Sequence, residues 1–355
     1  MAVPDYIAAV RDGDYERGLK LLYETNPFSQ VCGKVCTHKC ETTCAARHEG
    51  DAIAIRWLKR HITEQLPFEK YRDILGDPKP ATGRKIAIVG AGPAGMTTAF
   101  DLAKNGHQVS VYEALGHAGG MTRYGIPEYR LPVDTIQRDI DVILSMGVEI
   151  HYNTRIGSDI TMEQLQNNND AVLLAIGLQL GRSTRIPGSD HAGVEKAVDL
   201  LRRIRAGERF QVPHAVVVIG GGNVAMDIAR SLARVQQREY GKVGLTVCAL
   251  EDFEHFLADP EELREAREEG IEILDSRGPK ECVIDADGRL QGLSTLGVVS
   301  IFDEDGRFAP KYDAGDERLH PAGMVVESIG QMSDISLLGE ELVEELEWNR
   351  GRLQV

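Results

Sequence analysis

One short program occurs twice in this chain: an apolar run, a glycine-rich turn, then a stretch compatible with a helix. Lys85-Ile86-Ala87-Ile88-Val89 runs into Gly90-Ala91-Gly92-Pro93-Ala94-Gly95. Ala215-Val216-Val217-Val218-Ile219 runs into Gly220-Gly221-Gly222-Asn223-Val224-Ala225. A strand followed at once by G-x-G-x-x-G/A and a helix opens a βαβ unit that binds a dinucleotide. The first glycine makes the tight turn, the second lets backbone approach the pyrophosphate, and the third (or alanine) lets the helix pack on the strand. The helix N-terminus then offers free N–H groups and a positive dipole end to the phosphates. Two such loops predict an α/β chain with two Rossmann-like dinucleotide-binding domains, and two bound nucleotides.

The ends of the second strands refine the expectation. The first helix is expected from 96 to about 105, and the strand at 108–112 ends at Glu113, placed to accept hydrogen bonds from ribose hydroxyls. Gly90, Gly92, Pro93, Ala94, Gly95 and Glu113 are therefore the candidate residues of a flavin site. In the second unit the helix is expected from 223 to about 236, and the strand at 244–250 ends in Glu251-Asp252. Gly220, Gly222, Asn223, Val224, Ala225 and Glu251 are the candidates for a nicotinamide nucleotide. An acid at 251 hydrogen-bonds a 2′-hydroxyl and repels a 2′-phosphate, which favours NAD(H) over NADP(H). The alternative is a solvated Glu251, with Arg264 or Arg267 folding over a phosphate. Asp259, Pro260 and Glu262 read as N-cap, N1 and capping-box partner of a further, structural helix. A hydride would pass from nicotinamide to a flavin stacked between the domains, a transfer that is the cofactors' own chemistry, so no catalytic side chain is expected.

Ahead of the first glycine loop the texture is helical, with apolar positions Leu19 and Leu22 in one helix and Ile53, Ile55, Trp57, Leu58 and Ile62 in another. Two prolines and a glycine at 77–83 mark a linker. The expected division is a helical domain at 1–82, a flavin domain at 83–190, a nicotinamide domain at 191–322, and a return to the flavin domain at 323–355. Turns are expected at 285–288 and 303–306, between short strands of hairpins.

Four of the six cysteines form the array Cys32-x3-Cys36-x3-Cys40-x3-Cys44. No basic patch and apolar core of a signal peptide opens the chain, and no apolar run approaches the roughly 20 residues that span a bilayer. The expected compartment is the cytoplasm, where thiols stay reduced. There the array reads as an iron–sulfur site, with zinc or structural thiols as alternatives and His38 as a bystander. Cys248 and Cys282 stand alone, and Cys248 reads as a small buried hydrophobe. The net charge of −15 argues against nucleic acid and anionic membranes as partners.

Longer stretches carry a family resemblance. Asn26-Pro27-Phe28, Cys32-Gly33-Lys34-Val35-Cys36, Ile55-Arg56-Trp57-Leu58-Lys59-Arg60, the run from Gly119 to Pro132, Ala175-Ile176-Gly177 and Ser328-Ile329-Gly330-Gln331 resemble glutamate synthase small (beta) subunits and their relatives. The resemblance implies a glutathione-reductase-type fold, with an FAD domain interrupted by a NAD(P)H domain, behind a helical domain with a [4Fe–4S] cluster held by Cys32, Cys36, Cys40 and Cys44. It implies NAD(P)H oxidation, with electrons leaving through FAD and the cluster to a partner redox subunit in a hetero-oligomer. Gly119, Gly120 and Met121 would lie near the flavin, Arg130 in the stretch closing over it, and Ala175, Gly177 and Gly330 beside the cofactors. Relatives carry a further cysteine set before the segment that begins at Val3, and a glycine–aspartate motif expected after 347–355. Those making glutamate use NADPH and carry arginines where this chain has Glu251-Asp252, which points to NAD(H)-linked electron-input subunits. An NADPH-dependent glutamate synthase subunit and a non-catalytic assembly subunit are the other readings. A disulfide reductase would need a C-x-x-C pair, and this sequence has none.

Overall fold

The computed structural model describes residues 2–349 and 352–353. It divides into two compact units, residues 1–178 with 333–355, and residues 179–332.

In the first unit, six α-helices among the described residues, at Val3–Arg11, Tyr15–Tyr23, Ser29–Val35, Lys39–Thr42, Ile55–Gln65 and Tyr71–Leu75, precede the first strand. Asp14 caps the second of them, accepting from the Arg17 N–H at 3.1 Å. Leu19 and Leu22 are fully buried, as their spacing predicts. They share one core with Met96, Phe100, Ile136 and Ile140 of the dinucleotide fold. The expected separate domain at 1–82 is thus packed as part of the first unit. Residues 77–83 are pinned as well: the N–H groups of Lys79 and Thr82 each bond a carbonyl of the 104–106 turn at 2.9 Å.

The sheet of this unit has four parallel strands in the order Glu149–His151, Gln108–Tyr112, Lys85–Val89, Ala171–Leu174. The two central strands match the sequence expectation. The helix after the glycine loop begins at Pro93, three residues before the expected 96, because proline is tolerated where the first helical N–H has no partner.

The second unit holds a five-stranded parallel sheet ordered Val194–Lys196, Met324–Glu327, Val216–Ile219, Leu245–Cys248, Glu272–Leu274. The strand at 324–327 corrects the expected domain boundary. It does not return to the flavin domain, but pairs with Val216–Ile219 and Val194–Lys196. An apolar strand buried on both faces carries no mark of which sheet it joins. The chain leaves the first unit after Leu178 and re-enters it at Ser333. The last part of the expected return, residues 350–351 and 354–355, lies outside the described residues.

Three long antiparallel strands, Arg277–Ile284, Leu290–Phe302 and Phe308–Pro321, complete the unit. Their turns are built as expected on aspartates. Asp285 Oδ1 accepts from the N–H groups of Asp287 and Arg289, both at 2.9 Å, and Asp303 Oδ1 from those of Asp305 and Arg307. Cys248 is buried, as its apolar context predicts. Among the described residues no helix is long and apolar enough to cross a membrane.

Candidate dinucleotide sites and cysteine array

At the first glycine loop, Gly90 has φ +103°, and a Cβ there would stand 2.5 Å from the carbonyl oxygen of Ala175. Only glycine fits that turn, and the contact sets the backbone of Ala175, just past the Ala171–Leu174 strand, against it. Gly92 is the N-cap of the Pro93–Lys104 helix and no side chain caps it, so the first-turn N–H groups of Ala94 and Gly95 remain for an anionic ligand. The Gly119-Gly120 pair folds against this loop. The Gly119 N–H bonds the Ala91 carbonyl at 2.8 Å, and a Cβ on Gly120 would lie 2.7 Å from Gly92 Cα. Met121 then opens a four-residue helix, Met121–Tyr124.

Glu113 is buried with its carboxylate engaged: Oε2 accepts from the Ala91 N–H at 2.8 Å and Oε1 from the Leu115 N–H at 2.9 Å. The expected ribose acceptor therefore also holds the glycine turn in shape, a role the strand-end rule does not reveal. Arg130 lies in the turn before the Val133–Leu144 helix, its N–H bonded to the Pro127 carbonyl at 3.0 Å. The Gly177 carbonyl accepts from Ser333 Oγ at 2.8 Å.

The second loop repeats the device. Gly220 has φ +135°, and a side chain there would run into the Ser328 carbonyl. Gly222 is the N-cap of the 18-residue helix Asn223–Tyr240, again without a side-chain cap. Val224 and Ala225 fall in its first turn. The Asn223 amide does not point to a ligand: its Nδ2 donates to Asp259 at 3.0 Å and its Oδ1 accepts from the Asp259 N–H at 2.8 Å. What Asn223 leaves for a phosphate is backbone. The Glu251 carboxylate lies over the turn, where a Cβ on Gly221 would be 2.9 Å from its Oε2. The two arginines named as the alternative phosphate ligands make surface contacts. Arg267 stacks 4.6 Å over the Phe253 ring, and Arg264 pairs with Glu261 and Glu268 at 4.0 and 3.8 Å.

Glu262 does not close a capping box. Arg230, buried in the Asn223–Tyr240 helix, draws it away at 2.6 Å and also binds Glu265 and Glu269 at 2.6 and 2.8 Å. The Gly330 carbonyl accepts from the Arg182 N–H at 3.0 Å. A buried acid at the end of the Met324–Glu327 strand escaped the sequence reading. Glu327 pairs with Lys196 and accepts from the Thr184 N–H at 2.6 Å. A lone acid ending the apolar run at 324–327 was its only signal.

The cysteine array is not a single helix face. Cys32 lies in Ser29–Val35, Cys36 caps the end of that helix, Cys40 sits in the short Lys39–Thr42 helix, and Cys44 precedes a turn of 3-10 helix. His38, at φ +39°, breaks the run. All four thiols are free, and the Cys36 sulfur accepts the His38 N–H at 3.4 Å. Burial raises the Cys32 thiol above its ordinary range. Tyr6 faces Cys40, Glu41 and Cys36, and burial together with these groups holds its hydroxyl in the protonated form. Among the described residues no three His, Cys, Asp or Glu side chains are grouped to hold a metal ion. The donor chemistry of four thiols in one short segment nevertheless suits an iron–sulfur centre.

Two glycine turns with bare helix N-termini and strand-end acids, preceded by a thiol-rich helical segment, define a flavin- and nicotinamide-dependent oxidoreductase. The chain belongs to the pyridine nucleotide-disulphide oxidoreductase family, which matches residues 84–355, and its residues 1–70 match the dihydropyrimidine dehydrogenase domain II, 4Fe-4S cluster family. Its cofactors are accordingly FAD, NAD(P) and a 4Fe–4S cluster.

It is 35% identical over 354 residues to the NADPH-Fe(3+) oxidoreductase subunit beta of Geobacter sulfurreducens, covering 98% of this chain and 52% of that protein. It is 35% identical over 360 residues to the NADP(+)-dependent formate dehydrogenase subunit beta of Moorella thermoacetica, with 95% and 50% covered. Identity to the NAD-dependent dihydropyrimidine dehydrogenase subunit PreT of Escherichia coli is 35% over 280 residues, with 77% and 65% covered. The chain thus spans about half the length of the first two. Among solved structures, Mycobacterium tuberculosis FprA in complex with NADPH superposes with a TM-score of 0.61 at 22% identity over 71% of each chain. Thioredoxin reductase of T. acidophilum does so with 0.53 at 17% identity, over 75% of this chain and 83% of that one. At these identities the likeness is one of fold.

Proposed function

We propose that this chain is the nucleotide-oxidising flavoprotein portion of a larger cytoplasmic redox complex, taking electrons from NADH and delivering them to a partner subunit. The observation that carries the choice of nucleotide is the Glu251 carboxylate over the Gly221 turn. An acid there accepts from a 2′-hydroxyl and repels a 2′-phosphate. PreT, described as NAD-dependent, supports the reading, whereas the two relatives described as NADPH- or NADP(+)-linked keep NADPH as the alternative.

The chain's own residues bind and orient. Gly90, Gly92 and the first turn of Pro93–Lys104 cradle the FAD pyrophosphate, Glu113 fixes that turn, and Gly120 keeps the approach to Gly92 clear. Gly220, Gly222 and the N–H groups of Val224 and Ala225 do the same for the nicotinamide nucleotide. Cys32, Cys36, Cys40 and Cys44 supply thiolates to the cluster. When bound, the cofactors supply the redox chemistry, from hydride donation to single-electron carriage.

The test is an anaerobic reduction of the purified flavoprotein. NADH bleaching the flavin band faster than NADPH is the expected result; equal or reversed preference rejects the Glu251 argument.

A further inference from the structure

The turn that divides the cysteine array is closed by a ring of contacts through Cys36, His38, Glu41 and Arg56. The Cys36 sulfur accepts the His38 N–H at 3.4 Å. The His38 ring brings its Nδ1 to 3.4 Å from Glu41 Oε2. Glu41 Oε1 accepts the Arg56 N–H at 2.8 Å, and Arg56 Nη1 returns to the Cys36 carbonyl at 3.3 Å. Within this ring His38 holds the left-handed backbone, φ +39°, that residues other than glycine seldom adopt. A turn of that kind persists where its surroundings over-determine it.

The ring is anchored on the Ile55–Gln65 helix. Arg56 is the second residue of that helix, where an N–H has no partner within the helix, and the N-cap Ala54 makes no side-chain cap. Glu41 supplies the acceptor from 15 residues away, with its own side chain only 15% exposed. A carboxylate is also favoured by the positive dipole end of a helix. One turn further along, the same helix meets the other half of the array: a Cβ on Gly33, next to Cys32, would stand 3.1 Å from Arg60 Cα. One helix therefore bears on the cysteines both before and after the turn.

We propose that Glu41 and Arg56 are positioning residues for the 4Fe–4S cluster, holding Cys36 and Cys40 in place and setting the cluster's potential by their opposite charges. This rests on the cysteine ligands proposed above. Arg56 acts through the Cys36 backbone, and Glu41 through the turn between Cys36 and Cys40. Groups behind metal ligands orient them, and their loss costs about 10–100-fold in metal affinity. Net charge beside a cluster helps to set its potential. Reduction adds one electron to the cluster, so a nearby carboxylate opposes it and a nearby guanidinium favours it.

The test uses the as-isolated holoprotein, with iron analysis, challenge by an iron chelator, and a potentiometric titration followed by electron paramagnetic resonance. Glu41→Ala removes the acceptor, and its cluster is lost at about one-tenth of the chelator concentration or less. Glu41→Gln keeps an oxygen for the Arg56 N–H, so iron is retained while the midpoint potential rises. Arg56→Gln leaves the N–H for Glu41 but removes a positive charge, and the potential falls. Glu64→Ala takes a carboxylate from the same helix, where it pairs with Arg60 and Lys34 outside the ring, and behaves as the wild type. Flavin absorbance retained in Glu41→Ala shows that this variant is folded. A cluster held as firmly in Glu41→Ala as in the wild type, or equally labile in Glu64→Ala, overturns the proposal. So do potentials that do not move in opposite directions in Glu41→Gln and Arg56→Gln. The parent reading fails separately, on a Cys36→Ser variant that keeps the iron content and signal of the wild type.

Discussion

The Tyr23 hydroxyl donates to Oδ1 of Asp139 at 2.7 Å, across 116 residues of sequence, in a site closed to solvent. The same carboxyl accepts from the Val31 N–H at 3.0 Å and the Gln30 N–H at 3.4 Å, in the first turn of the helix that carries Cys32. One acid on the Val133–Leu144 helix thereby ties the cysteine segment to the dinucleotide fold.

Removing that acid strands a buried hydroxyl and two buried N–H groups. Asp139→Ala is expected to destabilise the first unit by about 3 kcal/mol, read as a lower denaturant midpoint. The same substitution should loosen the cysteine segment selectively, seen as faster hydrogen exchange across residues 29–35 than across the second unit.

Burial pushes the Asp139 carboxyl up to about 7 from an ordinary 3.8, against the opposing pull of its hydrogen bonds. A raised folded-state value means that the folded chain binds the proton more tightly than the unfolded chain does. The stabilising contribution is complete below the unfolded value and is lost as pH rises through about 7. Asp139→Asn lacks this titration. The stability of the wild type relative to Asp139→Asn should therefore decline between about pH 5 and 7 and flatten above; an increase over that range would contradict the assignment.

The two glycine turns should fail independently. Gly90→Ala forces a methyl group onto the Ala175 carbonyl, so the purified protein should lose its flavin absorbance. Gly220→Ala does the same against Ser328, so the protein should remain yellow but no longer be bleached by NADH.

Glu251→Ala removes the 2′-hydroxyl acceptor and its repulsion of a 2′-phosphate. The ratio of kcat/KM for NADH over NADPH should fall by about tenfold or more, measured in steady state with one acceptor.

Arg230 is buried against three glutamates, so Arg230→Ala leaves negative charge uncompensated within the second unit. A loss of about 3–5 kcal/mol is expected, visible as an early thermal transition that bound nucleotide shifts upward.

What the sequence revealed follows from where its signals are local. The strands at 85–89 and 108–112, both glycine turns and the aspartate-capped hairpins each depend on a few adjacent residues, and each was found where expected. The strand at 324–327 falls in the stretch expected to return to the flavin domain, yet it pairs in the second unit's sheet, because apolarity does not say which neighbours cover it. Asp139 was missed because an acid in an amphipathic helix reads as solvated; only the fold brings Tyr23 and Val31 to it. Glu262 looked like a capping residue because the motif is local, whereas its partner Arg230 lies 32 residues away. The even spacing of the cysteines does not reveal the turn at His38, which divides them between two short helices and a turn of 3-10 helix.

In the function proposed above, this one chain accepts electrons from a nicotinamide nucleotide and passes them to iron held by its N-terminal segment. The most direct measurement is an anaerobic NADH titration of the as-isolated protein, followed by flavin absorbance and by electron paramagnetic resonance of the cluster, with Cys36→Ser beside the wild type. The account predicts flavin bleaching in both proteins, and a reduced-cluster signal that appears in the wild type and is lost or altered in the variant. Flavin that stays oxidised under NADH and NADPH alike, or a cluster signal identical in Cys36→Ser, would contradict it.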